Sequence, residues 1–231
     1  MTTDVISRKA LNEISGSIMT ILCDGKIREY QKRMKLIEPF DESLVGPASY
    51  DLRVGQRVLK SVRAKNETPI VNLETERVLQ IGTGEFVEVL TFERVRMPNN
   101  LCGRMGIRSF FTRKGLVSFV GPQVDPGFEG NLVISLFNTG PRTIVMKYGE
   151  PFCTIEFSEL SDSCEKPYSG PYQKQNDFPS DNIEFIVGAK GITLYEVVDV
   201  MRGLRSDVKW LKILLLLILA ALVAGVIGRV I

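Results

Sequence analysis

From about residue 45 to about 160 the apolar positions come in short, β-branched runs cut by Gly, Pro and Asn. Pro69–Leu73, Val78–Ile81, Glu85–Thr91, Gly115–Val120, Leu132–Phe137, Thr143–Met146 and Pro151–Phe157 are such runs. Short strands at regular spacing, with turn residues between them, predict an all-β sandwich or barrel. Beyond a turn or two around Arg108–Lys114, no long stretch between Asp51 and Glu159 keeps a helical period.

The flanks have a different texture. Ser15–Cys23 (SGSIMTILC) reads as a short amphipathic helix, capped by Ser15 or Ser17 and stopped at Gly25. Residues 161–182 are polar and Pro-rich, as a tail or linker is, and Ile183–Val187 reads as a short strand. Apolar residues then recur at Leu194, Val197, Met201, Leu204, Val208 and Leu211, alternating three and four apart. That spacing fits a coiled-coil stalk or an amphipathic helix packed on its own domain. Ile213–Gly228 (ILLLLILAALVAGVIG) is uncharged and apolar on every face, as a membrane-crossing helix is. Trp210 sits where an interfacial aromatic belongs, and Ala220, Ala224 and Gly228 place small residues four apart. Arg202, Arg205, Lys209 and Lys212 precede the run and Arg229 follows it, so the positive-inside rule puts residues 1 to about 209 in the cytoplasm. The expected organisation is an N-terminal helical segment over 1–44, a β domain over 45–160 and a tail with linker over 161–187. A stalk helix over 188–209 and a single-pass tail anchor over 210–229 complete it.

Composition narrows the chemistry. The net charge of +2 gives no basic face of the kind a nucleic-acid partner requires. Cys23, Cys102, Cys153 and Cys164 are not spaced as C-x-x-C, and a cytoplasmic setting argues against disulfides. The chain has no histidine, which removes Ser-His-Asp and Cys-His catalysis, nearly every zinc site, and the zinc deaminase signature. Carboxylates, hydroxyls, arginines and backbone amides remain.

The richest stretch is Gly103–Gly149. Arg108, Ser109 and Arg113 put two cations and a hydroxyl within six residues, a set suited to a triphosphate or to a solvated basic face. VDPGFEG at 124–130 is a strand end, a Pro-Gly turn and a new strand, with Asp125 at the hairpin rim and Phe128 beside it.

These segments together resemble the dCTP deaminase/dUTPase family, and its dCTP deaminase-like subgroup in particular. The resemblance rests on PASYDLRVG at 47–55, RSFFTRKGL at 108–116, VDPGFEGNLVISLFNTG at 124–140, MKYGEPFCTIEF at 146–157 and KPYSGPYQKQ at 166–175. It covers about residues 14 to 176, with the motifs in order. It implies a mainly β, distorted jelly-roll-like barrel with a short N-terminal helix, assembled as a homotrimer with sites between subunits. It also implies that Arg108, Ser109 and Arg113 hold a deoxypyrimidine triphosphate, which carries Mg²⁺ with no metal bound by the protein itself. Asp125 would meet the 3′-hydroxyl or, in dUTPase-type chemistry, activate water. Phe128 would pack on the sugar; Val133, Ile134 and Ser135 would line the pyrimidine; Tyr168 and Gln175 would close over the phosphates.

The departures shape the functional expectation. Ser135 stands where dCTP deaminases carry the glutamate that moves protons, and a serine hydroxyl does not titrate near neutral pH. Pro171 replaces an expected lysine, Phe110 and Phe111 occupy a loop that is usually smaller, and the Gly-rich phosphate-covering motif of dUTPases is missing. The expectation is therefore a membrane-anchored nucleotide sensor or effector that binds dCTP or dUTP. The alternatives are dUTP hydrolysis to dUMP through Asp125, or dCTP deamination by an altered site.

Overall fold

The alternation that predicts strands is strictest in Glu129–Asn138 (EGNLVISLFN), where every second side chain is buried. Leu132, Ile134 and Leu136 enter the core; Asn131, Val133, Ser135 and Phe137 face the other way, as the two-residue period of a strand demands. The computed structural model describes residues 20–60, 69–121, 123–188 and 194–230.

Twelve strands are present among these residues: β1 Thr20–Ile21, β2 Ile37–Glu38, β3 Val45–Gly46, β4 Ser49–Lys60, β5 Ile70–Asn72, β6 Val78–Ile81, β7 Phe86–Arg96, β8 Leu101–Ile107, β9 Leu116–Phe119, β10 Glu129–Asn138, β11 Ile144–Lys147 and β12 Pro151–Glu159. The main path runs β1-β12-β4-β7-β10-β9, with β2 on β7, β3 and β5 on β4, and β8 on β12. A second, two-stranded sheet pairs β11 with β6. All of these pairings are antiparallel. The core they enclose holds Tyr50, Leu52, Val89, Phe111, Ile134, Phe152 and Phe157, all essentially without exposure. Asn138 pins the turn after β10: its amide donates to the Ile81 and Arg142 carbonyls at 2.9 Å each, and its Oδ1 accepts from Gly140 N at 2.9 Å.

The N-terminal helix differs from the expected one. Residues 15–19 lie outside the described residues, Thr20–Ile21 pair with β12 instead, and the helix α1 spans Asp24–Met34. Asp24 in its first turn and Lys32 and Arg33 in its last complement the helix dipole. Only Ile27 and Tyr30 are buried on it, too few apolar positions to show a period. Ile183–Val187 also departs from expectation: it belongs to the helix α4, Ser180–Gly188, not to a strand. The short helices α2, Leu73–Glu76, and α3, Ser109–Thr112, interrupt the strands between them.

The expected stalk and anchor form one helix, α5, Leu194–Val230. Its apolar side chains Val197, Met201, Leu204, Val208 and Leu211 are exposed, so they do not pack on the β domain as a simple amphipathic helix would. Among the described residues no helix is long and apolar enough to cross a membrane. The expected anchor over 210–229 therefore has no such span behind it.

Candidate functional site

The outward face of β10 is the floor of a cavity of about 350 Å³, a size suited to a small ligand. Val133, Ser135 and Asn131 rise from β10, and Glu88 comes from β7, where register pairs it directly with Ser135. Phe119, Val120 and Gly121, at and just after the end of β9, form one wall, and Phe128 of the hairpin forms another. The roof is residues 166–179, a strap laid across the site, with Tyr172, Gln175 and Pro179 over the cavity and Asn182 of α4 behind them.

Backbone bonds dock the strap. Gly130 and Gln175 form a parallel bridge, Asn131 N donates to the Gln175 carbonyl at 2.8 Å, and Tyr168 N donates to the Pro126 carbonyl at 2.8 Å. Gln173 grips the hairpin from both ends of its amide, accepting from Glu129 N and donating to the Gly127 carbonyl, each at 2.9 Å. Further on, Asp177 pairs with Arg57, and Phe178 is buried against Leu59 and Leu90. Tyr168 meets Phe128 edge-on, with ring centroids 5.7 Å apart.

Of the residues expected at the site, Phe128, Val133, Ser135 and Gln175 line this cavity, and Tyr168 backs Phe128. Ile134 is a correction. Its side chain points to the opposite face and is fully buried in the core, because strand alternation cannot turn three consecutive side chains the same way. Asp125 does not line the cavity; its Oδ1 accepts from Gln123 Nε2 at 2.7 Å at the hairpin rim.

The expected phosphate residues lie elsewhere on the chain. Arg108 precedes α3, its Nε 3.2 Å from Asp51 Oδ2, and Ser109 opens that helix in an exposed position. Arg113 borders a separate hollow of about 480 Å³ with Lys114 and Arg142. Among the described residues no Lys or Arg lines the first cavity. Phe110, beside these groups, is 55% exposed, and Lys114 Nζ sits 3.7 Å over its ring. Among the described residues no group of three or more His, Cys, Asp or Glu could hold a metal ion.

Glu129 is engaged. Arg96 Nη2 and Arg94 Nη2 stand 2.9 and 3.0 Å from its Oε1, and Arg96 first holds its carboxyl below the usual range. Glu88 differs: it is 7% exposed, accepts from Ser135 Oγ at 3.2 Å, and accepts from Asn182 Nδ2 at 3.1 Å. Glu88, Asn182, Phe119 and Tyr172 were not singled out from the sequence. Glu88 carried a weak signal in being the polar member of an apolar run, VEVL, but its partner lies 47 residues away.

The dCTP deaminase-like family model matches residues 21–160, which span β1 to the end of β12. The chain belongs to the dCTP deaminase-like family. It is 41% identical to a dCTP deaminase of Pyrococcus horikoshii over 154 residues, covering 66% of this chain and 91% of that one. It is 30% identical to a dUMP-forming dCTP deaminase of Methanosphaera stadtmanae over 166 residues, covering 65% and 84%. In fold it is similar to the 2′-deoxycytidine 5′-triphosphate deaminase of Agrobacterium tumefaciens. That similarity has a TM-score of 0.52 at 21% identity over 61% of this chain, which spans about half (48%) of that longer chain. Family membership thus rests on the β domain, and α5 lies outside the matched residues.

Proposed function

We propose that this protein binds a deoxypyrimidine triphosphate at a site shared between two subunits of a homotrimer and processes it hydrolytically, as its dCTP deaminase relatives are named for doing. The observation that carries this is the division of the site. One chain presents a cavity for a base and sugar with no Lys or Arg among its described lining residues, and presents Arg108, Ser109, Arg113, Lys114 and Arg142 away from that cavity. A triphosphate needs charge-assisted hydrogen bonds. A neighbouring copy supplies them if its α3 faces the cavity, and the exposed rings of Phe110 and Phe119 suit burial in that contact. Mg²⁺ arrives with the phosphates as part of the substrate.

Titration of the full chain with dCTP, dUTP, dTTP and ATP tests this. Deoxypyrimidine triphosphates should raise the melting temperature and ATP should not; no shift with any of them sinks the proposal. Arg113→Ala should weaken binding by about 1.5–3 kcal/mol, the range for a hydrogen bond to a charged group. Val133→Trp, which fills the cavity, should abolish binding in its own subunit. Mixed trimers of the two variants should regain about a quarter of the sites, because a symmetric ring joins intact halves only where unlike subunits meet in one order. No recovery would mean that each site lies within one chain.

A second reading, dUTP hydrolysis with Asp125 activating water, draws on Gln123, which orients the Asp125 carboxylate at the rim. A third reading, nucleotide sensing without turnover, draws on Ser135, a side chain that does not titrate near neutral pH, on the cavity floor.

Membrane attachment of the domain through residues 210–229 is part of the proposal. The uncharged run Ile213–Gly228, the flanking Trp210 and the excess of basic residues before it support this. The full chain should sediment with vesicles and resist alkaline extraction, and a chain cut after Lys209 should be released. Equal release of both would leave α5 as a helix without a membrane role.

A further inference from the structure

Three glutamates are buried among the described residues: Glu85, Glu88 and Glu93. Two have cations. Lys60 Nζ lies 2.9 Å from Glu85, and Arg53 Nε lies 2.5 Å from Glu93. Glu88 has none among the described residues; its partners are the neutral hydroxyl of Ser135 and the neutral amide of Asn182. A buried carboxylate without a cation is costly. Ser135 and Asn182 meet only part of its acceptor capacity, because a carboxylate has about four lone-pair positions. The rest of the carboxylate faces the cavity.

We propose that Glu88 is the catalytic carboxylate of this chain, reading the 4-amino group of a cytosine base and carrying the protons of its hydrolytic deamination. The proposal rests on the reading that the base occupies this cavity. An acceptor-only group favours the N–H donors of a 4-aminopyrimidine and opposes the carbonyl oxygen that uracil and thymine carry there. The reaction balances as dCTP plus water giving dUTP plus ammonia. As a water oxygen bonds C4, Glu88 takes a proton from it and passes that proton to N3. It then takes the proton from the new C4 hydroxyl and delivers it to the amino nitrogen. The C4–N4 bond breaks with its electron pair leaving on nitrogen, the C4 carbonyl forms, and the carboxylate is regenerated. Ser135 and Asn182 position Glu88 by donating to it. Ser135 and Glu88 are direct cross-strand partners with side chains on one face, so the hydroxyl and the carboxylate meet across adjacent strands.

The test separates binding from turnover in the full-length protein. Glu88→Gln keeps the shape and removes the carboxylate. It should still bind dCTP in calorimetry while ammonia release falls by roughly 10²- to 10⁴-fold, the usual contribution of a general acid–base group. The exchanged double variant Glu88→Ser with Ser135→Glu returns a carboxylate to the same cross-strand pair and should recover at least a tenth of the activity. Wild-type protein should discriminate dCTP from dUTP in binding, and Glu88→Gln should lose that preference. Binding of dCTP by the wild type without ammonia release, or unchanged turnover in Glu88→Gln, overturns the assignment of Glu88 while leaving the cavity as the base site. Absence of dCTP binding overturns the reading of the cavity itself, and this proposal with it.

Discussion

Replacing Arg53 with methionine is expected to lower folding stability by about 3–5 kcal/mol at pH 8, the cost of leaving one partner of a buried ion pair alone. Glu93 is fully buried, and Arg53 answers it twice: the backbone N–H donates to Oε2 at 2.8 Å and the guanidinium Nε to Oε1 at 2.5 Å. The guanidinium also lies 4.5 Å from the Phe92 ring centroid, a contact that the methionine chain partly retains. Burial pushes the Glu93 carboxyl above the ordinary glutamate range, and the backbone N–H and guanidinium of Arg53 offset only part of that push. Without the guanidinium, only backbone N–H donors still oppose the upward push. A carboxyl raised in the folded state binds more protons folded than unfolded, so its stability contribution is fully present below the unfolded value, about 4.3, and is lost as pH rises through the folded value. The deficit of Arg53→Met should therefore be larger at pH 8 than at pH 5 in denaturant melts of the two proteins. Adding Glu93→Gln should recover most of it. Equal deficits at both pH values would show that packing on Phe92, and not the stranded charge, sets the cost.

The second large effect is on the strap. At Gly130 a Cβ would stand 2.8 Å from Gln175 N and 2.9 Å from its carbonyl oxygen, both backbone atoms that cannot swing aside. Gly130→Ala should lift residues 174–175 from the hairpin and break the bonds Lys174 N to the Glu129 carbonyl and Asn131 N to the Gln175 carbonyl. At about 0.5–1.5 kcal/mol net for each bond, nucleotide affinity should fall by about 1–3 kcal/mol. The strands should remain folded, because the core behind β10 does not include the strap bonds. Calorimetric titration with dCTP reads the affinity, and limited proteolysis reads exposure of 166–179. Wild-type affinity in Gly130→Ala would show that the strap does not cover the bound nucleotide.

Much of the β domain was legible from local pattern. Val78–Ile81 coincides with β6, and Leu132–Phe137 and Pro151–Phe157 fall within β10 and β12, because each alternates cleanly or is bounded by Gly or Pro. β7 extends five residues past the expected end at Thr91, since Glu93, Arg94 and Arg96 look like a loop until Arg53 and Glu129 are found as their partners. β8, Leu101–Ile107, hides behind two glycines and an arginine and is stabilised by its pairing with β12. A run as short as IEFIV fits either period, so its local pattern does not separate α4 from a strand. The site was legible only in part. Motifs mark Phe128, Ser135 and Gln175, whereas Glu88 and Asn182 become site residues through register and through the path of the strap. The separation of the cations from the cavity is a property of three-dimensional placement that no local window contains.

The pairing of β1 with β12 has a consequence for how the chain is made. Thr20 lies opposite Glu159, so the sheet cannot close until nearly the whole β domain has been synthesised. Non-local pairings of this kind fold on a scale of about milliseconds to seconds. Ile213 follows Glu159 by some fifty residues, several seconds of elongation at about 5–20 residues per second. The barrel thus has time to bury its own strands before the ribosome delivers the most apolar stretch of the protein. That order of delivery keeps the late hydrophobic helix from competing with half-built strands for the same core.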